Sequence, residues 1–403
     1  MAPPVTRCRI ALYVSGMLIS GTVTTLTCKI QFTMRSVGID GEEKDFTKPW
    51  FGTFNMLFAM TLVGLIDVCI ARSQRWGQSK RSPLIDASPG MLTLDEDNDP
   101  DWGRKVCTVA YPAAFDLLAT ALCCMGILYI PASVWQMLRG ASMVFCAIFS
   151  ITFLKRTLWC FNWLGLFLCT LGVTLVGFAN VLSGGAKAGD KSDPNDLIFG
   201  MGLVIMGQVV QAAQVIAEEY LMKDVNLPAM TIIGFEGVWG ILMMFLIAYP
   251  ILWFVPGPDG GHVEDPFDTV VMLYHSPKLL IIIALYLAAC GLFNATGIAV
   301  TGALSSVHRM MLDASRTTVI WAFGLAVWCY DPDSEFGEAW TEWSFLQLIG
   351  FTIMVFGQAI YGEVLRVPGL RYPKAYMDMD ASQWASPTGM MNMASPPPRV
   401  DIE

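Results

Sequence analysis

Residues 131–154, PASVWQMLRGASMVFCAIFSITFL, form an apolar run that carries one arginine, Arg139, well inside it. As a helix rising about 1.5 Å per residue it would be about 36 Å long, enough to cross a hydrocarbon core of ~30 Å with some tilt. A guanidinium at the centre of such a span costs about 2.5–3.5 kcal/mol on insertion scales, so Arg139 is expected to face a polar cavity or a partner. The pattern occurs twice. Residues 306–315, SVHRMMLDAS, repeat the order of residues 133–142, SVWQMLRGAS, with Ser, Val, Met, Ala and Ser in matching places. The second copy carries His308, Arg309 and Asp313, with Arg316 just beyond. Two related charged spans point to a duplicated fold with a site between the copies.

Composition agrees with a bilayer protein. Of the 403 residues, 54% are hydrophobic and 15% charged, against a globular expectation of ~25% charged. The formal net charge of −9 sits largely in loops and tail, as in LDEDNDPD from Leu94 to Asp101, and describes solvated segments, with no nucleic-acid surface implied. The eleven cysteines are scattered, mostly in apolar runs, without CxxC or Cys/His ligand spacing, so they read as small apolar side chains and no metal site is expected. The start, MAPPVTRCRI, places two arginines before a long apolar run and reads as an uncleaved first span.

Apolar runs of about 20 residues give ten candidate spans, roughly 10–33, 50–72, 106–129, 131–154, 159–182, 196–222, 229–254, 278–301, 303–328 and 343–363. Gly165, Gly172 and Gly177 recur as Gly350, Gly357 and Gly362. Because each copy holds an odd number of spans, the second copy is inverted relative to the first, the architecture of many secondary transporters. The expected fold is an all-α integral membrane protein of ten transmembrane helices in two inverted five-helix repeats, 10–182 and 196–363, joined by a non-cytosolic linker, 183–195. Lys and Arg are the more numerous in the segments that a cytosolic N-terminus would place in the cytosol, so both termini, 1–9 and 364–403, are expected there. Residues 73–104, with Ser-Pro pairs and the acidic run, and the tail 364–403 read as disordered cytosolic segments. In the tail, Tyr376 to Met379 (YMDM) fits a tyrosine-based sorting pattern, which makes a sorting adaptor one conceivable partner; a homodimer is another.

The polar residues at membrane depth are the candidate site. Arg139, with Gln136 one turn away, could hold a ligand or a structural carboxylate on a neighbouring span. Arg309 and Asp313 at i,i+4, and Asp313 and Arg316 at i,i+3, can form an internal ladder. Two arginines to one aspartate leave one positive charge over, attractive with Arg139 to a phosphate or carboxylate. Arg309 is the expected partner of Asp313, which leaves Arg316 as the free cation. On the sixth span Gln211 and Gln214 can present to one side. Glu218 and Glu219 read as a solvated helix end or, with Glu236 and Asp313, as proton-coupling or structural groups; Asp67 and Asp116 are similar single acids. Asn294 lies inside the eighth span as a packing or cavity amide. No P-loop, HExxH, GxSxG or nucleotide-binding GxGxxG follows a strand, so neither an enzyme nor a cofactor is expected.

The strings SVWQMLRGASMVFCAIFS, WLGLFLCTLGVTLVGFANVL, AQVIAEEYLM, GFEGVWG and FNATGIAVTGALSSVHRMMLDASRTTVIWAFGL resemble the drug/metabolite transporter superfamily. Within it they are similar to the nucleotide-sugar-transporter-like solute carriers, family 35, F branch, with EamA-like repeats. The resemblance covers roughly residues 110–363. It implies an integral endomembrane protein of the Golgi, lysosome or another organelle that works by alternating access, with a cavity bordered by the fourth and ninth spans. It also implies that Gln136, Arg139, Glu218, Glu219, Glu236, Asn294, Arg309, Asp313 and Arg316 fall on recurring polar positions. The GALNK-type motif of guanine-nucleotide-sugar transporters is not found in this sequence. The reading is thus a secondary transporter of a small, anionic metabolite, touching membrane lipid and a small-molecule substrate. The rival is a transport-inactive receptor or scaffold that presents the acidic loop and tail to cytosolic partners.

Overall fold

The computed structural model describes residues 7–78, 101–127, 129–130, 135, 138–182, 194–257, 259, 261–331 and 340–370. Gln136, the linker 183–193, most of the acidic loop and the Tyr376–Met379 motif lie outside the described residues. The helices are α1 (Arg7–Thr33), α2 (Pro49–Gln78), α3 (Trp102–Thr108), α4 (Ala110–Ile127), α5 (Ala141–Thr152), α6 (Cys160–Asn180) and α7 (Pro194–Lys223). They continue with α8 (Ala229–Met243), α9 (Tyr249–Phe254), α10 (Pro266–His275), α11 (Pro277–Ala303), α12 (Ser306–Tyr330) and α13 (Ser344–Tyr361). Eight stretches of described helix are long and apolar enough to cross a membrane. The charged α12 is not among them, nor is α5, whose described helix has 12 residues. The expected continuous fourth span over 131–154 is therefore seen only in its second half.

One expectation needs correction at the edge of the bundle. Helix α2 runs to Gln78, so the loop placed at 73–104 begins later than the charge pattern suggested. The connection from α1 to α2 carries a short hairpin, in which Arg35–Val37 (β1) pairs antiparallel with Glu43–Asp45 (β2). The seventh span passes through a π-helical turn, Met244–Ala248, just before Pro250, whose ring nitrogen has no hydrogen to donate into the helical ladder.

Long antiparallel pairs make up the bundle: α1 on α11, α4 on α7, α2 on α8 and α6 on α13. Apolar side chains from α5, α6, α7, α12 and α13 close one core, with Met143, Cys146, Leu166, Cys169, Val215, Val307 and Met311 buried in it. A second core joins α2, α7, α8 and α11 through Leu57, Met60, Leu221, Ile232, Ile233 and Ile298. We call the side on which α1 starts the first face and the side of the β1–β2 hairpin the second.

The α6/α13 contact explains why the repeated glycines matter. A Cβ on Gly165 would sit 2.7 Å from the Gly357 carbonyl oxygen, and one on Gly172 would sit 2.6 Å from that of Gly350. The repeated glycines thus meet crosswise at the interface, each against the counterpart of the other, backbone to backbone, as small residues allow in a bilayer. Because the obstructing atoms are main chain, they cannot yield by a rotamer change. Gly165→Ala and Gly172→Ala should each destabilise the protein by about 1–3 kcal/mol, seen as a lower melting temperature in detergent. Gly202→Ala, where an added Cβ meets nothing within 4 Å, should not.

Candidate functional site

Helix α12 begins at a Ser305 cap, whose side chain accepts from the His308 N–H. From there it places Arg309, Asp313 and Arg316 along one side, at i, i+4 and i+7. The expected Arg309–Asp313 pair does not form. Arg309 Nη1 instead donates to Glu218 of α7, a carboxylate only 2% exposed, at ion-pair distance. A buried carboxylate without a partner costs more than a half-exposed one, so the guanidinium goes to Glu218 and leaves Asp313 to others.

Asp313 is shared by the two remaining arginines. Arg139 Nη2 lies 3.8 Å from its Oδ2, and Arg316 Nη1 lies 3.4 Å from its Oδ1. Arg316 is therefore not the free cation expected from the sequence, and Arg139 does have a carboxylate on another span. Each guanidinium also stands over an aromatic ring, Arg139 over Trp135 at 5.0 Å and Arg316 over Phe293 at 5.1 Å. The triad is nevertheless loose. Its ion pairs are longer than the ~2.7–2.9 Å of a charge-assisted hydrogen bond. Among the described residues, Arg316 Nε and Asp313 Oδ1 are buried without any hydrogen-bond partner. The side chains of Arg139 and Asp313 remain 32% and 25% exposed, so the triad is reachable where Glu218 is not.

A second cluster lies one turn nearer the first face. Gln214 Nε2 donates to Glu236 Oε1 at 2.9 Å and to Glu218 Oε1 at 3.4 Å, bridging α7 to α8. Asp116 of α4 lies within electrostatic reach of Glu218 and Arg309, and its buried Oδ2 has no hydrogen-bond partner among the described residues. Three carboxyls thus surround one guanidinium. The sequence shows Asp116 only as a single acid similar to Glu236, because nothing in its own span announces neighbours from α7, α8 and α12. Gln211 is half-buried on α7 and enters none of the described hydrogen bonds. Asn294 Nδ2 donates to the Cys290 carbonyl at 3.0 Å, as a packing amide does. Cys290 itself lies within reach of both Asp116 and Arg316, so the two clusters flank the same stretch of α11.

Glu219 is not part of a solvated helix end. It is fully buried, paired with Arg156 and, at 2.8 Å, with Lys223, and it accepts from the Ser306 N–H at 2.9 Å. It therefore ties the α5–α6 connection to the N-terminus of α12 at the first face. The second face carries a counterpart that the sequence did not reveal. Glu264 accepts from the N–H groups of Trp50 at 2.8 Å and Phe51 at 2.7 Å, capping α2 from the far loop. Asp268 binds Lys48 at 2.7 Å, Lys44 at 2.9 Å and the Ile39 N–H at 2.8 Å, and Asp259 pairs with both lysines.

These loop carboxyls titrate apart. Burial pushes Glu264 up to about 7, against the lowering effect of the two N–H groups. Burial would raise Asp268 too, but Lys48, Lys44 and the Ile39 N–H hold it at about 2. The raised Glu264 contributes stability fully present below its ordinary 4.5 and lost as pH rises through about 7. The depressed Asp268 loses its contribution only as pH falls toward 2. The melting temperature should therefore rise as pH is lowered from 8 to 5, and Glu264→Gln should flatten that slope. For the Arg309–Glu218 pair, Arg309→Leu should cost about 3–5 kcal/mol, and Arg309→Leu with Glu218→Leu should recover most of it. Arg309→Leu with Asp313→Leu should not, when the three are compared by thermal unfolding.

Residues 99–244 match the family model "Nucleotide-sugar transporter". The chain is 30% identical over 362 residues to solute carrier family 35 member F6 of Pongo abelii, covering 88% of this chain and 89% of that protein. The Homo sapiens protein of the same name gives the same figures. A UDP-N-acetylglucosamine/UDP-N-acetylgalactosamine transporter of Caenorhabditis elegans is 32% identical over 98 residues, 24% of this chain and 29% of that one. With its membrane-length helices and near full-length likeness to these carriers, the chain belongs to solute carrier family 35, in its F branch.

Proposed function

We propose that this transporter carries a small anionic metabolite by alternating access, with the anion held between α5 and α12 by Arg139 and Arg316. The observation that carries the reading is the loose triad. One aspartate faces two guanidiniums at ion-pair distances of 3.4 and 3.8 Å, with a buried donor and a buried acceptor atom left unbonded among the described residues. A purely structural ion pair closes to hydrogen-bond length, because burial without it is costly. A phosphate or carboxylate would complete the donor set and take up the remaining positive charge. Arg139 presents a planar fork suited to such a group.

The neighbouring cluster suits a coupling role. Among the described residues Asp116, Glu218 and Glu236 are opposed by Arg309, so neutralising all three takes further positive charge, and a proton carried with the substrate would supply it. Alternating access fits two inverted five-helix repeats of ten spans. Exchanging first with sixth, third with eighth, second with seventh and fifth with tenth turns the pair α1/α11 into α7/α4 and returns α2/α8 and α6/α13 to themselves. An endomembrane location with both termini cytosolic completes the proposal, supported by the excess of Lys and Arg on that side.

The test is uptake by purified protein in liposomes against a panel of nucleotides, sugar phosphates, amino acids and vitamins. Anionic members should be taken up. Arg139→Lys keeps the charge but loses the fork, so it should cut that uptake by about tenfold or more, the effect of roughly 1.4 kcal/mol or more, at an unchanged melting temperature. Uptake of neutral solutes only, or an Arg139→Lys protein that fails to fold, would refute the assignment.

A further inference from the structure

Where α2 crosses α8, Gly64 and Gly234 face each other and the helices touch through their backbones. Backbone contact continues toward the second face at Gly237, while toward the first face α2, α8 and Trp102 line a groove with a volume of about 190 Å³.

The lining of this groove is graded. Its deeper wall is apolar, formed by Leu65, Phe235 and Val238. Leu65 and Val238 are 55% and 47% exposed, so no described part of the protein covers them. Arg72 lies seven residues after Leu65, about 10 Å nearer the face along α2, and Trp102 and Thr231 line the same end. Thr231 is the unusual member. A helical threonine ordinarily returns its hydroxyl to the carbonyl four residues back, as Thr61 does to Leu57 at 3.0 Å. Thr231 is 3% exposed, and its Oγ1 has no partner among the described residues. A cation and an unused hydroxyl at the polar end of an apolar groove, in a membrane protein, match the order of groups along one lipid.

We propose that this groove is a binding site for one anionic phospholipid of the surrounding bilayer. The phosphate and acidic headgroup lie at Arg72, an ester carbonyl accepts from the Thr231 hydroxyl, and one acyl chain runs against Leu65, Phe235 and Val238. A choline lipid brings the same phosphate but adds a quaternary cation beside Arg72, so the site discriminates by headgroup charge. The inference does not depend on what is transported.

The test uses full-length protein stripped of lipid by detergent exchange and supplied with phosphatidylserine or phosphatidylcholine of identical chains. Bound lipid is then measured by native mass spectrometry. Phosphatidylserine should be retained in preference. Arg72→Gln should weaken its retention by about fivefold, the effect of roughly one basic residue at a lipid surface, with phosphatidylcholine unchanged. Arg104→Gln, on the same face but 3.3 Å from Asp101, should change neither. Val238→Trp should fill the groove and lower retention of both lipids, and Leu65→Trp serves if that variant does not fold. Equal retention of the two lipids by wild type, or a preference that survives Arg72→Gln, would overturn the proposal. So would a dimer in the spectrum that Val238→Trp dissociates, since the groove would then belong to a second copy.

Discussion

Charge cannot stand alone inside an apolar bundle, and α12 carries three charged side chains into one. Each must be met by a group from another helix or from a ligand. Glu218 of α7 meets Arg309, Arg139 meets Asp313, and Phe293 of α11 lies under Arg316. These contacts fix α12 against α5, α7 and α11 at once, which apolar packing alone does weakly when lipid is as apolar as the core. The pairing is complete at the first-face end of α12 and incomplete further in. Arg309 is bound to a fully buried carboxylate, while Arg139 and Arg316 divide one aspartate that is a quarter exposed. The unfinished end is where a ligand has something to add.

The ends of the bundle are held by one device used twice. A carboxylate from one part of the chain accepts from N–H at the N-terminus of a distant helix, where unpaired donors and the helix dipole both favour negative charge. Glu219 does this for α12 at the first face, with Arg156 and Lys223 beside it, and Glu264 does it for α2 at the second. Both tie segments before residue 183 to segments after residue 193. A cycle that exposes the centre to alternate sides would have to release one of these ties while keeping the other. With burial pushing Glu264 up to about 7, it is Glu264 that makes the second-face tie responsive to pH in the neutral range, while Asp268 stays charged there.

Much of this was legible in the sequence, for physical reasons that also mark its limit. Arg139 stood out because a lone charge in an apolar run has no local explanation. The glycines at 165, 172, 350 and 357 stood out as a repeat, and they are the residues at the α6/α13 contact. Helical spacing, however, reports only neighbours on the same helix. It therefore offered Asp313 to Arg309, when the stronger demand came from Glu218 on α7. The same blindness made Glu218 and Glu219 look solvated, left Asp116 isolated, and gave no sign that Glu264 caps a helix more than two hundred residues earlier. Pairings across spans depend on register between helices, which a pattern along one helix does not contain.

The central claim is that the space around Asp313 carries one positive charge in excess. A charge series read by ligand-induced thermal stabilisation tests it directly, with inorganic phosphate and a sugar phosphate as probes and the unphosphorylated sugar as control. Asp313→Asn adds one positive charge to the wild-type count, and Arg316→Gln removes one. The account predicts stabilisation by the anions that is largest in Asp313→Asn, intermediate in wild type and absent in Arg316→Gln, with no response to the neutral sugar. A response that ignores this order, or that the neutral sugar reproduces, would contradict it.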